Sequence, residues 1–243
     1  MLNKAKKIAH RLTGLFLDES QKLELLRGAL ESKDLKLVET ALMRGCKPAM
    51  KEIGFLLRSD EPPSLELFKN LCELFLKFGA NLNESTGGID KDYERGFTII
   101  SGVIRGCNYL EGAIEYLLDR GVEPSGADIW TACQLESNPK YLKVLLDSGI
   151  DPYSYVPPEV MTEGCCVLSQ VIKYRDLEKL KLVSQYPYKG NLPIDVGKTL
   201  HKLFLAAENK EGLTSEFADF ATEATKYIGY LKEDALRIHS KYW

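Results

Sequence analysis

The octapeptide LLDRGVEP, residues 117–124, returns 28 positions later as LLDSGIDP, residues 145–152. Five of the eight positions are identical, and two others exchange one aliphatic residue or one acid for another. A match at an offset of roughly 20–50 residues is typical of repeat proteins, in which each copy is one supersecondary unit. The two octapeptides therefore predict a chain that is built from copies of such a unit.

Related segments lie on both sides of this pair. Residues 96–124 align with residues 164–187 at an offset of 68, which is two units of 34 residues. Weaker copies span residues 23–48 and 65–83. The glycines that end the units are Gly45, Gly79, Gly121 and Gly149, spaced by 34, 42 and 28 residues. The spacing predicts units of near 34 residues with insertions and deletions between them.

Each unit carries two apolar runs with the spacing of a helix that buries one face, separated by a polar break. In residues 96–124 the runs are Ile99, Ile100, Val103 and Ile104, and then Ala113, Ile114, Leu117 and Leu118. The glycine after the second run suits the left-handed conformation that follows many helices, and a proline beyond it prevents the helix from restarting. The unit is therefore predicted to be helix, turn, helix and loop.

These units resemble ankyrin repeats. The family pattern has a Gly-x-Thr-Pro-Leu-His opening, a Gly-His turn and a Leu-Leu-x-x-Gly-Ala-Asp ending. The matching positions here are Gly96-x-Thr98-x-Ile100, the turn at Cys107-Asn108, and residues 117–123. The departures are Ile99 and Val167 at the proline position, and Ser101, Trp130 and Ser169 at the histidine position. The likeness covers about residues 20–190 of the chain.

The resemblance implies an all-α, ankyrin-like helix-turn-helix solenoid of about five repeats. We expect a single domain over residues 1–243, with an N-terminal capping helix in residues 1–20 and repeats in residues 21–191. The remaining residues, 192–243, are predicted to form a C-terminal helical cap, because the open end of a solenoid has to be covered. Within that cap we expect one helix over residues 196–208 and a helical apolar stripe through residues 215–242.

Composition excludes several classes of function. The chain has 32 Lys and Arg against 35 Asp and Glu, a formal charge of −3, so no general attraction to nucleic acid or acidic membranes is expected. No apolar run approaches the length of a membrane span, and the basic start lacks the apolar stretch of a signal peptide. The six cysteines show no C-x-x-C spacing, so we expect reduced thiols in a cytoplasmic protein and no zinc site.

The nearest approach to a catalytic motif is Gly197-Lys198-Thr199, which resembles the end of a phosphate-binding loop. That loop needs a glycine at position 192, which is Leu, and a preceding buried strand. The three histidines are scattered, and no nucleophile elbow occurs. We therefore expect no enzyme activity, no cofactor and no metal site.

A solenoid binds through its concave surface and its loops. By resemblance to ankyrin proteins, contacts come from the loop tips, the residue after the opening glycine and the last turn of each inner helix. Two long loops, residues 83–96 and 151–164, add Tyr153 and Tyr155 as candidates, which could equally pack on neighbouring helices. The predicted partner-binding residues are Tyr93, Glu94, Arg95, Phe97, Arg105, Gln134, Glu136, Tyr153, Tyr155, Thr162, Glu163, Lys173 and Tyr174.

The sequence therefore favours a non-enzymatic protein–protein interaction module. A stand-alone inhibitor, an immunity protein or a microbial effector that blocks a partner protein would each fit, with the chain a monomer on its own. Two alternatives stay open at this point. One is a nucleotide-binding protein or enzyme that uses Gly197-Lys198-Thr199, and the other is a structural homo-oligomer.

Overall fold

The structure is a computed structural model that describes residues 17–84, 98–106, 110–134, 136–154, 166–190, 192–209 and 214–242. Over these residues the chain forms thirteen α-helices and one 3-10 turn, and no β-strand. The prediction of an all-α chain is thereby confirmed for the residues described. The helices are α1 (Glu19–Glu31), α2 (Leu35–Met43), α3 (Met50–Leu57), α4 (Leu65–Lys77), α5 (Ile99–Ile104), α6 (Ala113–Asp119), α7 (Gly126–Cys133), α8 (Pro139–Asp147), α9 (Val167–Tyr174), α10 (Leu177–Val183), α11 (Ile194–Glu208), α12 (Ser215–Ile228) and α13 (Lys232–Tyr242).

The chain divides into two compact units, unit 1 (Met1–Asp128) and unit 2 (Ile129–Trp243), and the division falls inside α7. The prediction of one solenoid domain over residues 1–243 stays a prediction. The expected capping helix in residues 1–20 lies mostly outside the described residues, and Glu19 and Ser20 already belong to α1.

Helices of unit 1 pack in two series. The odd-numbered helices α1, α3 and α5 contact one another in order, and so do the even-numbered helices α2, α4 and α6. Each odd-numbered helix also packs on the even-numbered helix that follows it. The side chains between them form the core of the unit and are almost fully buried; they include Leu26, Leu30, Val38, Ile53, Phe68, Phe75, Ile99, Ile100, Ile114 and Leu117.

Four helices end in the same way, and the sequence predicted these ends. Gly45, Gly79, Gly121 and Gly149 have φ angles of 81°, 89°, 79° and 104°. After α2, the Gly45 amide donates to the carbonyl oxygen of Leu42 at 2.9 Å, and the Cys46 amide donates to that of Ala41 at 3.2 Å. Only glycine adopts such φ angles at little cost, so the predicted left-handed glycines are confirmed.

The helix starts are set by polar caps. Asp34 accepts hydrogen bonds from the backbone at the start of α2, Ser64 does so for α4, and Thr98 does so for α5. In unit 2 the same role falls to Asn138 for α8 and Asp176 for α10. Such side chains satisfy backbone N–H groups that have no partner within the helix, so these five α-helices begin at residues that the local sequence marks.

In unit 2, α10 packs on α8 and α9, and α11 packs on α12 and α13. The helix expected over residues 196–208 is confirmed as α11. The apolar stripe expected through residues 215–242 is buried from Ala218 to Ala235, but a 3-10 turn over Gly229–Leu231 divides it into α12 and α13. Glycine is a weak helix former, which explains why the break occurs there.

Within the described residues, none of the helices has the length and apolar character that crossing a membrane requires.

Candidate functional site

An exposed aromatic ring in unit 1 lies between two arginines. Phe55, on α3, leaves 52% of its surface exposed. The guanidinium carbons of Arg27 and Arg58 lie 5.3 Å and 5.0 Å from the centre of its ring. Guanidinium groups within about 6 Å of a ring are attracted by its electron-rich face. We call Arg27, Phe55 and Arg58 the Phe55 surface.

Arg27 is anchored by a buried carboxylate. Its Nε donates to Glu52 Oε2 at 2.6 Å and its Nη2 donates to Oε1 at 3.2 Å. The Glu52 side chain is 1% exposed, whereas that of Arg27 is 47% exposed. This bidentate pairing fixes the guanidinium above the ring, and the hydrogen bond to Glu52 is the main reason why the pKa of Arg27 lies above its ordinary value.

A small groove runs between α1 and α3 beside the ring. Its volume is about 270 Å³, and its lining includes Leu30, Leu56 and Phe55 together with the carboxylates of Glu31 and Glu52. Sites for cofactors and other small molecules usually enclose roughly 300–1,000 Å³. The groove is slightly smaller than such sites and has room for one large side chain.

Arg105, one of the predicted binding residues, lies at the end of the neighbouring helix. Arg58 and Arg105 occupy the same position, directly after the last residue of α3 and of α5. These helices approach closely, since a Cβ added at Gly102 would lie 3.4 Å from Gly54 Cα. Partial burial, and then the charge of Arg58, lower the pKa of Arg105 below its ordinary value. The charge of Arg58 therefore acts on the guanidinium group of Arg105.

The start of α5 is held by a buried carboxylate that sequence reasoning missed. Asp128, with no exposed surface, accepts hydrogen bonds from the Thr98 and Ser101 amides at 3.2 Å and 3.0 Å. It also accepts from the Thr98 hydroxyl at 2.9 Å and from the Ser125 amide and hydroxyl at 2.8 Å each. A helix-start pattern, Ser125-x-x-Asp128, marks this residue in the sequence. Asp128 serves to position α5, which carries Arg105 at its other end.

Besides Tyr153, four predicted binding residues of unit 2 lie within the described ranges. Glu136 and Lys173 are exposed, and Tyr174, the last residue of α9, is half-buried. Gln134 is half-buried, and its carbonyl oxygen accepts a hydrogen bond from the buried Lys179 Nζ. That ammonium group also donates to Ser137 Oγ at 3.0 Å and lies 3.2 Å from Asp176 Oδ2. The backbone at Gln134 thus has a structural role, whatever its side chain contacts.

Tyr153 is not available to a partner, because 1% of its surface is exposed. Its hydroxyl lies 3.1 Å from the Val183 carbonyl oxygen and 2.6 Å from the Tyr230 hydroxyl, and its ring meets that of Tyr188 edge-on at 5.3 Å. Burial, and then the hydrogen bond to Tyr230, raise its pKa well above the ordinary range. The prediction of Tyr153 as a binding residue is therefore wrong, and the packing alternative holds for it.

The remaining predicted binding residues lie outside the described residues. They are Tyr93, Glu94, Arg95, Phe97, Tyr155, Thr162 and Glu163.

Gly197, Lys198 and Thr199 lie within α11 and not in a loop. The Gly197 amide donates to the Pro193 carbonyl oxygen at 3.0 Å, and the Thr199 hydroxyl donates to the Asp195 carbonyl oxygen at 2.9 Å. A Cβ added at Gly197 would lie 2.8 Å from Ile238 Cγ2. This glycine therefore allows α13 to approach α11 closely, and the segment does not have the geometry of a phosphate-binding loop.

Histidines and cysteines are the other candidates for chemistry among the described residues. His201 and His239 stack with ring centres 3.7 Å apart, and the pKa of His201 is lowered by burial and then by the charge of His239. Within the described part of the chain, no group of three or more His, Cys, Asp or Glu side chains could hold a metal ion. Cys46 and Cys72 are buried thiols, and burial raises the pKa of Cys72 to about 12.

The site that the structure brings together is thus the Phe55 surface, with Arg105 beside it. Arg27, Phe55 and Arg58 were missed because the likeness to ankyrin repeats is weak before residue 96, so no positions were carried over there. The available signal was Arg58, which ends α3 as Arg105 ends α5. Comparison of the chain with protein-family models, with curated proteins and with solved structures finds no match.

Proposed function

We propose that this chain is an ankyrin-like solenoid that binds a partner protein without catalysing a reaction, and that the Phe55 surface is a contact site for this partner. The serial packing of odd-numbered helices on odd-numbered ones in unit 1, and of even-numbered on even-numbered, supports the solenoid. So do the four left-handed glycines, three in unit 1 and one in unit 2, that follow α2, α4, α6 and α8.

The observation that carries the binding proposal is the exposure of Phe55 between two guanidinium groups. A phenyl ring that is 52% exposed keeps apolar surface in water, and burial of that surface by a partner would be favourable by about 25 cal/mol per Å². Aromatic residues and arginines are enriched at the centres of protein interfaces. Since Glu52 holds Arg27 in place before binding, little entropy of this side chain is lost when a partner docks.

An inhibitor, an immunity protein and an effector would all use such a surface in the same way, by occupying a partner. The proposal therefore predicts a stable complex of fixed stoichiometry. It assigns no role in phosphate binding to Gly197, Lys198 and Thr199, because their backbone is part of α11.

The test is affinity capture from a lysate of the source cells with the wild-type chain, with Phe55→Ala, and with Met43→Ala as a matched control. Met43 is also an apolar side chain of unit 1, 69% exposed, but it ends an even-numbered helix. We expect one protein to be retained by the wild-type chain and by Met43→Ala, and to be lost from Phe55→Ala. Circular dichroism checks that both variants are folded.

The protein that is captured is then purified and mixed with the chain, and sedimentation velocity measures the stoichiometry of the complex. Retention of the same protein by Phe55→Ala at wild-type level would show that binding lies elsewhere. Absence of a complex between the purified components would contradict the function itself.

A further inference from the structure

The two arginines of the Phe55 surface differ in their hydrogen-bond partners. Arg27 is bound by both oxygens of Glu52. Arg58 donates its Nε to the Gly54 carbonyl oxygen at 3.2 Å, and no carboxylate of the described residues lies within ion-pair distance of it. Its terminal N–H groups and most of its positive charge therefore remain available beside an exposed ring.

A second cation lies at the end of the helix that packs on α3. Arg105 directly follows α5, as Arg58 directly follows α3. Burial, and then the charge of Arg58, lower the pKa of Arg105. The positive charge of Arg105 adds to that of Arg58 in attracting an anion to this end of the two helices.

The groove between α1 and α3 carries charges of both signs. Its lining includes Arg27, Glu31 and Glu52 beside the Phe55 ring. Arg58 does not line the groove, but its guanidinium carbon lies 5.0 Å from the centre of that ring. A carboxylate would be repelled near Glu31 and attracted at Arg58. The apolar part of the lining, Leu30 and Leu56, suits an apolar side chain.

Resting on the function proposed above, we infer that the partner docks an acidic segment here. One apolar side chain of the segment enters the groove between α1 and α3, and an Asp or Glu that lies near it in the partner's sequence binds Arg58 over the edge of Phe55. The guanidinium group binds a carboxylate through two parallel N–H donors, which gives this contact a preferred geometry.

The test uses the full chain and an array of twelve-residue fluorescein-labelled peptides. Each peptide has one central Leu or Phe and one Asp or Glu at one to four positions from it, and each has a twin with Asn or Gln instead of the acid. Affinities are measured by fluorescence polarisation at two salt concentrations. The variants are Phe55→Ala, Arg58→Gln and, as a matched control, Lys51→Gln, which removes another exposed cation from α3.

We expect at least one acidic peptide to bind the wild-type chain about tenfold or more tightly than its amide twin, as a charge-assisted hydrogen bond would require. Arg58→Gln should abolish this difference, Phe55→Ala should weaken both twins, and Lys51→Gln should leave the difference in place. Higher salt should weaken the acidic peptide more than its twin.

The inference would be overturned if every acidic peptide bound with the same affinity as its amide twin. It would also be overturned if the affinity difference between twins disappeared in Lys51→Gln but persisted in Arg58→Gln. Failure of every peptide to bind would overturn it as well. The proposed function is judged separately, by whether Phe55→Ala loses the captured protein. If that protein is lost but acid and amide peptides do not differ, the surface binds a partner and the acidic segment is wrong.

Discussion

Unit 1 contains two clusters of nearly the same composition. Phe55 lies between Arg27 and Arg58, with Glu52 below. On the even-numbered helices, Tyr116 lies between Lys69 and Arg120, whose cationic groups are each 5.5 Å from the ring centre, with Glu73 beside them. Each cluster thus consists of one aromatic ring, two cations and one carboxylate. They nevertheless differ in what they leave exposed.

The position of the carboxylate makes the difference. Glu73 accepts a hydrogen bond from the Tyr116 hydroxyl at 2.6 Å and also forms an ion pair with Arg120. The rings of Phe68 and Tyr116 pack in a T-shaped arrangement with their centres 6.2 Å apart. Glu52 is buried and can bind only Arg27, and Phe55 has no hydroxyl to donate. The side chains of the Tyr116 cluster therefore bind one another, whereas the Phe55 surface leaves half of an aromatic residue exposed beside Arg58, which has no carboxylate partner among the described residues. Composition alone does not separate a structural cluster from a binding surface.

Removal of the aromatic ring should affect the two clusters very differently. Tyr116→Ala should lower the free energy of unfolding by about 3 kcal/mol, because the change leaves a cavity beside Phe68 and removes the partner of Glu73. Phe55→Ala should cost less than about 1 kcal/mol, because half of the ring is already in water. Urea unfolding followed by circular dichroism measures both. Equal losses would mean that the Phe55 ring is part of the core in solution.

Removal of one cation from each cluster should also lower the free energy of unfolding by different amounts. Arg27→Ala should cost about 2 kcal/mol, because it leaves Glu52 buried and unpaired, with a side chain only 1% exposed. Arg120→Ala should cost less than about 1 kcal/mol, because Glu73 is 42% exposed and water can replace the arginine.

Glu52→Gln in the Arg27→Ala background provides the control for this second comparison. A neutral amide should recover part of the loss, since the cost arises from a buried charge and not from the missing arginine stem. If the double variant is no more stable than Arg27→Ala, the buried charge is not the cause.

The sequence predicted those features that are set by neighbours along the chain. Helical spacing and the requirement for a left-handed residue were sufficient to place Gly45, Gly79, Gly121 and Gly149 after helices. The helix expected at residues 196–208 was correct for the same reason, since one apolar face and its flanking residues define it.

Features that depend on distant residues were not predicted. The burial of Tyr153 depends on Val183 and Tyr230, which lie 30 and 77 positions away. The role of Gly197 depends on Ile238 of another helix, whereas the local tripeptide shows only a partial likeness to a phosphate-binding loop. The availability of Arg58 depends on which cation Glu52 binds, and the partner of Glu52, Arg27, is 25 positions away on another helix. Local spacing carries no information on such pairings.

The smallest expected effect concerns the pH dependence of stability. It arises from the Tyr116 hydroxyl, a titratable group that Phe55 lacks. Burial, and then the hydrogen bond to Glu73, raise the pKa of the Tyr116 hydroxyl above its ordinary value. An unfolded tyrosine loses its proton near pH 10, so above that pH the folded chain holds a proton that the unfolded chain has released. The free energy of unfolding therefore falls as the pH rises above about 10, by at most about 1.4 kcal/mol per pH unit for one group.

Tyr116→Phe should cost about 1 kcal/mol at neutral pH and should make the alkaline loss of stability less steep. Phe55→Ala should leave that steepness as it is in the wild-type chain, because no hydroxyl is removed. The measurement is the urea midpoint between pH 8 and 10.5 for the three proteins. Tyr153, Tyr186 and Tyr188 also have raised pKa values, so only the difference between variants reports on Tyr116. Identical slopes for wild type and Tyr116→Phe would mean that Glu73 does not hold this hydroxyl, and the Tyr116 cluster would then be as open as the Phe55 surface.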